Sequence, residues 1–199
     1  MRLVDGSGYT LSHVPGMSVL DIGSGVGDVA LISAQLDAIA GRHILIHLPD
    51  PAVMIRAAIR FLRPGGVAVF QEYDFSVIDP SYPKAPLRDD VMGIFRDFFG
   101  KAGKESMGTM LFHLFSEAGL HSPECRAEYP ITGGPESAYY EVYAESRRSI
   151  LPRAVAPGIV DADNVDIDTL ADRIREEAIA NKSAYPMPPM VGGFAFRPW

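Results

Sequence analysis

Cysteine is almost missing from the 199 residues: Cys125 stands alone, which excludes an intrachain disulfide framework and a cysteine-rich zinc cluster. Positive charge is also scarce. Against 25 aspartates and glutamates there are 18 lysines and arginines, a net charge of −7, so no basic footprint for phosphate backbones or an anionic bilayer is present. No stretch approaches the roughly 18 uninterrupted apolar residues of a membrane span. The segment Met1 to Thr10 carries Arg2 but no apolar h-region, which predicts no signal peptide. Repeats with a period of about 20–50 residues and low-complexity tracts are lacking too, which argues against a solenoid or a linker protein. The expectation is a cytoplasmic protein with no nucleic-acid or membrane partner. What is present is 47% hydrophobic and 22% charged residues, the balance of a chain that buries a core. The length allows a single domain and excludes two full catalytic ones.

Strands and helices alternate along the chain. Met17 to Ile22 is a short apolar run entered through Pro15-Gly16 and left through Gly23-Ser-Gly-Val-Gly27, and it reads as a buried strand. Asp28 to Leu36 turns to helix formers, with Asp28 at the positive end of the helix dipole. Asp37 to Leu48 is readable either as a buried strand or as a helical turn. Pro51 opens a helix with Val53, Ile55, Ala58, Ile59 and Leu62 on one face, stopped at Arg63-Pro-Gly-Gly66. Val67 to about Tyr73 is a strand. After a proline-rich loop, Val91, Met92, Ile94, Phe95, Phe98 and Phe99 recur at helical spacing. A further helix from about Thr109 to Ala118 ends at Gly119, a residue suited to a left-handed C′ position. Arg126–Ile131 and Val191–Phe196 read as strands, and Glu136–Leu151 and Asp168–Asn181 as helices. Such alternation predicts an α/β domain with a largely parallel sheet.

Gly23, Gly25 and Gly27 sit between a strand and a helix, where a glycine loop lets a ligand approach the backbone at a helix N-terminus. A dinucleotide fingerprint needs Gly or Ala where Asp28 stands, and a carboxylate there would face the pyrophosphate, which disfavours an NAD-dependent oxidoreductase. The run Val19-Leu-Asp-Ile-Gly-Ser-Gly-Val-Gly27 resembles motif I of the class I S-adenosylmethionine-dependent methyltransferases. Asp37-Ala-Ile, Gly41 to Pro51, Leu62-Arg-Pro-Gly-Gly66 and Val67 to Asp74 look like the fourth and fifth strands of small-molecule members related to the quinone-biosynthesis methyltransferases. The aromatic helix resembles their variable cap, and Gly192 to Pro198 their closing antiparallel strand. The resemblance implies a Rossmann-like sheet with helices on both faces and a helical cap, within one domain: residues 1–78 as the cofactor-binding half, 79–118 as the cap and 119–199 as the C-terminal sheet half. It further implies S-adenosyl-L-methionine as cofactor. Gly23, Gly25 and Gly27 would pass its methionine part, Asp21 would order the loop, and Ser24 would bond its carboxylate.

One unit of the family pattern is missing. Leu36 is followed directly by the apparent fourth strand, so the strand whose acid grips the ribose and the motif that holds adenine have no counterpart, a loss on the order of 30 residues. In the family the first and fourth strands are neighbours, and reusing the first helix to join them would make a left-handed crossover, against the right-handed form of about 98% of such units. Three remedies are open: the helix moves to the other face, a neighbouring chain completes the sheet, or His43–Leu48 takes the vacant second place. In the last case Asp50 would fall near the position of a ribose-binding acid, although it equally suits a helix cap. An exposed first strand predicts a homodimer. The alternative function is a methyltransferase remnant that does not bind cofactor fully.

Methyl transfer from a sulfonium needs in-line approach more than acid or base, because the leaving group departs neutral. Bases for a hydroxyl or carbon acid are His43, His47 and Glu72, with His113 and Asp74 behind them. For each, a capping or solvated role is the commoner reading of such a residue. His43 and His47, four apart, have no third ligand at diagnostic spacing, so no metal site is expected. Tyr73, Phe95 and Phe99 are the expected substrate pocket, although an aromatic stripe also makes ordinary core.

Overall fold

The computed structural model describes residues 16–22, 35–155, 158 and 166–199. They form a mixed α/β protein. In chain order the elements are β1 (Val19–Ile22), β2 (Leu36–Arg42), α1 (Pro51–Ala58), β3 (Leu62–Tyr73), α2 (Pro86–Gly100), α3 (Met107–Glu117), β4 (His121–Glu128), β5 (Ile131–Gly133), α4 (Tyr139–Val155), α5 (Leu170–Asn181), β6 (Ala184–Pro186) and β7 (Met190–Phe196). The chain divides into two compact units. The first is Met1–Asp74 with Ser106–Glu128 and Pro189–Trp199, and the second is Phe75–Glu105 with Tyr129–Pro188.

The first unit is built on a five-stranded sheet of order β1-β2-β3-β7-β4. β1 pairs parallel with β2, β2 parallel with β3, and β7 runs antiparallel between β3 and β4. Leu36, expected at the end of the first helix, instead opens β2: it is 6% exposed and registers with Leu62. The ambiguous stretch resolves as this strand followed by a 3-10 turn at Leu45–His47. It is therefore Leu36–Arg42 that lies beside β1, and not His43–Leu48. Small or branched residues suit this central place, since Ala38 and Ile39 are wholly buried between parallel neighbours. Asp37 ties three elements: its carboxylate accepts from Ser18 N at 2.8 Å and from Arg63 Nε at 2.7 Å, and the Arg63 guanidinium holds the carboxyl down to about 2. Arg63–Gly66, expected as a stop, lies inside β3 at a register shift between Leu36 and Ala38.

Pro51 and Asp50 start α1 as their residue types require, Asp50 Oδ1 accepting from Val53 N at 2.9 Å, so this acid is a cap. α3 packs on β3, β4 and β7 through Leu111, Leu114 and Phe115, each nearly or wholly buried. Burial of side chains such as Phe70 and Phe115 stabilises by about 1.5–3 kcal/mol each. Gly119, at φ +79°, follows α3 in the left-handed conformation.

In the second unit α2, α4 and α5 pack on one another. The buried stripe of α2 is Arg88, Val91, Met92, Phe95 and Phe99, a helical repeat entered through Pro86. β5 and β6 pair antiparallel as a separate two-stranded sheet. Periodicity missed it because each strand is three residues long.

Candidate functional site

The carboxyl ends of β1, β2 and β3 lie at one edge of the sheet, the side on which open α/β folds bind ligands. Asp21, the penultimate residue of β1, is exposed. Gly23, Ser24, Gly25 and Gly27 lie outside the described residues, so of the expected cofactor contacts Asp21 alone can be placed.

β2 ends at Arg42, and His43 follows in the left-handed conformation at φ +51°. Its N–H donates to the Gln71 carbonyl at 2.9 Å, and its ring stacks on Tyr73, with centroids 4.4 Å apart and planes 21° from parallel. The chain then turns so that the N–H groups of Ile44 and Leu45 both donate to Glu72 Oε1, at 2.9 and 2.7 Å. Glu72 is fully buried, and its Oε2 has no hydrogen-bond partner among the described residues. Burial pushes its carboxyl up to about 7, against the pull of the backbone N–H groups, which favour the charged form. A carboxyl poised there can hold or release a proton near neutral pH. Gln71, one residue earlier, is 6% exposed, and neither atom of its amide is bonded among the described residues.

Gln71 falls within the Val67–Tyr73 stretch read as a strand, and no functional role is expected for it from the sequence. No sequence signal flags it, because the burial that makes its amide notable arises only when β2 and β3 pair. Asp74, also buried, accepts from Thr109 N at 2.8 Å and from Thr109 Oγ1, and so holds the first turn of α3. His47 is exposed in the 3-10 turn, and with no helix at residues 43–47 the two histidines do not share a helical face. His113 stands on the exposed side of α3, 3.3 Å from Glu117. Among the described residues no group of three or more metal-ligating side chains gathers.

The structure thus brings His43, Glu72 and Tyr73 together at the ends of β2 and β3. Phe95 and Phe99 belong to the second unit, where both are buried and stack around Phe75 at 5.8 and 5.0 Å between centroids. In that unit a depression of about 470 Å³ also opens along α2, lined by Ile78, Ile94 and the carboxylates of Asp79, Asp89, Asp90 and Asp97.

No family model and no curated protein matches the chain. Solved structures similar to it include S-adenosylmethionine-dependent methyltransferases. Phosphoethanolamine N-methyltransferase 2 of Haemonchus contortus, in complex with phosphomonomethylethanolamine and S-adenosylhomocysteine, aligns at 16% identity and a TM-score of 0.43, over 82% of this chain and 34% of its own. A cyclopropane-fatty-acyl-phospholipid synthase-like protein of Lactobacillus casei aligns at 11% and 0.41, over 83% and 57%. An arsenic(III) S-adenosylmethionine methyltransferase of Chlamydomonas reinhardtii aligns at 12% and 0.32, over 82% and 37%. This chain spans about a third of the first of these proteins, and at such scores none of them assigns it an activity.

Proposed function

We propose that the chain is an S-adenosylmethionine-dependent methyltransferase acting on a small organic acceptor. The observation that supports this is the order of the sheet. The strand after the glycine loop lies directly beside β1, the next strand follows it in parallel, and the terminal strand closes antiparallel against β3. That is the arrangement of first, fourth, fifth and closing strands which the motif I resemblance implies, and it involves residues outside the glycine loop.

Among the described residues the fit to the cofactor is partial. Asp21 is an exposed carboxylate at the end of β1, suited to an ammonium group or to the N–H groups of the loop that follows. When bound, the cofactor supplies a methyl group on a sulfonium. On the protein side, Glu72 fixes the turn at residues 43–45, His43 and Tyr73 form a stacked wall beside it, and the Glu72 carboxyl is able to take up a proton released by the acceptor.

A second reading, a remnant that does not bind cofactor fully, is favoured by one observation. β1 is the edge of the sheet among the described residues, and no described strand lies beyond it to grip a ribose. Calorimetric titration of the full chain with S-adenosylmethionine and S-adenosylhomocysteine separates the two. The enzyme reading expects saturable heat and a thermal upshift, with Asp21→Asn weakening binding about tenfold through loss of a charge-assisted bond. No heat and no shift at about 1 mM ligand, the range of weak specific binding, would sink the enzyme reading and leave the remnant.

A further inference from the structure

Two arginines are buried in the second unit, and the fold treats them oppositely. Arg88, on α2, is wholly buried, with acceptors on both terminal nitrogens and none on Nε. Its Nη1 donates to the Asp79 carbonyl at 3.0 Å and to Asp89 Oδ1 at 3.1 Å, and its Nη2 donates to the Pro186 carbonyl. Its guanidinium also lies over the rings of Tyr185 and Tyr143, at 5.2 and 5.9 Å. Arg147, on α4, is 2% exposed and has neither a hydrogen bond nor an ion pair among the described residues. A guanidinium keeps its proton under all ordinary conditions, and burying that charge unpaired is strongly unfavourable.

Its own helix offers no remedy. The positions one turn away on the same face are Tyr143, Ala144, Ile150 and Leu151, none of them acidic. The Tyr143 hydroxyl is already engaged with Met187 Sδ at 2.7 Å. Glu145, the nearest acid in the sequence, faces Arg148 at 3.4 Å, and Arg148 also takes Asp168 at 2.8 Å. Within the second unit Nη1 and Nη2 of Arg88 find acceptors, although its Nε does not, whereas among the described residues Arg147 has no counter-charge.

We propose that Arg147 anchors an oxyanion-binding site in the second unit, which takes a small organic molecule carrying a carboxylate or phosphate group. The planar fork of a guanidinium matches either oxyanion through two parallel N–H donors. This goes beyond the proposed function and is independent of any cofactor.

The test is titration and thermal unfolding of the full chain with inorganic phosphate and with benzoate, against chloride at equal ionic strength and without S-adenosylmethionine. The wild type is expected to bind at least one probe saturably and to unfold at higher temperature in its presence. Arg147→Met, similar in length and uncharged, is expected to unfold at a higher temperature than wild type in chloride. It should also lose the probe-induced shift and bind about tenfold more weakly or worse. Its transition in chloride reports that it folds, and Arg148→Gln, next to it and exposed, should bind as wild type. A response to phosphate alone identifies a phosphoryl ligand, and a response to benzoate alone an organic carboxylate. Three results would overturn the site: no response to either probe beyond chloride, wild-type binding by Arg147→Met, or an Arg147→Met midpoint well below wild type in chloride, which would mean that the fold already satisfies the guanidinium.

Discussion

At the end of β3 the Glu72 carboxyl meets two opposing demands. Two backbone N–H groups on Oε1 favour the carboxylate, while full burial with an unbonded Oε2 favours the protonated acid, and burial prevails, leaving the group near 7 against an ordinary 4.5. A raised folded value means that the native state holds a proton the unfolded chain has already released. Stability from this group is therefore full below about pH 4.5 and is lost as pH rises toward 7, by roughly 3 kcal/mol in all. Glu72→Gln keeps the acceptor and removes the charge. Its thermal midpoint is expected to exceed wild type at about pH 8 and to match it near pH 4, with the dependence between them flattened. A midpoint that falls at both pH values would mean that the charged form is the one the fold prefers. The sequence marked Glu72 as a carboxylate at a strand end. Its burial and its acceptor role were not legible, because the amides it meets lie 27 and 28 residues earlier and reach it only when β2 and β3 pair.

Individual elements were legible where one residue type carries a local signal. Asp50-Pro51 starts α1 and Gly119 ends α3, each through backbone chemistry that needs no distant partner, whereas Pro86, read as part of the proline-rich loop, opens α2. Residues 36–48 were not, since short apolar runs suit a strand or a helical turn equally, and pairing with Val19–Ile22 and Leu62–Gln71 decides between them. How elements seat on one another is also invisible in sequence. Gly108, in the first turn of α3, lies so close to β7 that an added Cβ would stand 2.6 Å from Val191 Cγ2 and 3.0 Å from Asp74 Cβ. Gly108→Ala is therefore expected to lower stability by about 1–3 kcal/mol, although alanine is the better helix former. Chemical denaturation would show it, and an unchanged or higher stability would mean that α3 shifts freely.

Across the whole molecule the chain passes back and forth between its two units, so neither is a continuous stretch of sequence. The last strand lies in the middle of the first unit's sheet, between β3 and β4. Removal of residues 189–199 should then do more than trim an end. It strips β3 and β4 of their common partner, and cooperative thermal unfolding by circular dichroism is expected to disappear; a sharp transition in the shortened chain would contradict that central role. The sequence by itself determined the alternation of strands and helices, the caps of α1 and α3 and the acidic balance, because these depend on local backbone preference and on composition. Tertiary structure alone decided that Leu36–Arg42 is the neighbour of β1, that His43 stacks on Tyr73 beside a buried Glu72, and that among the described residues one buried arginine is paired while another is not. Those outcomes depend on which distant residues share a dry interior, and the cost of burying a charge or an amide there is set by partners that adjacent sequence does not name.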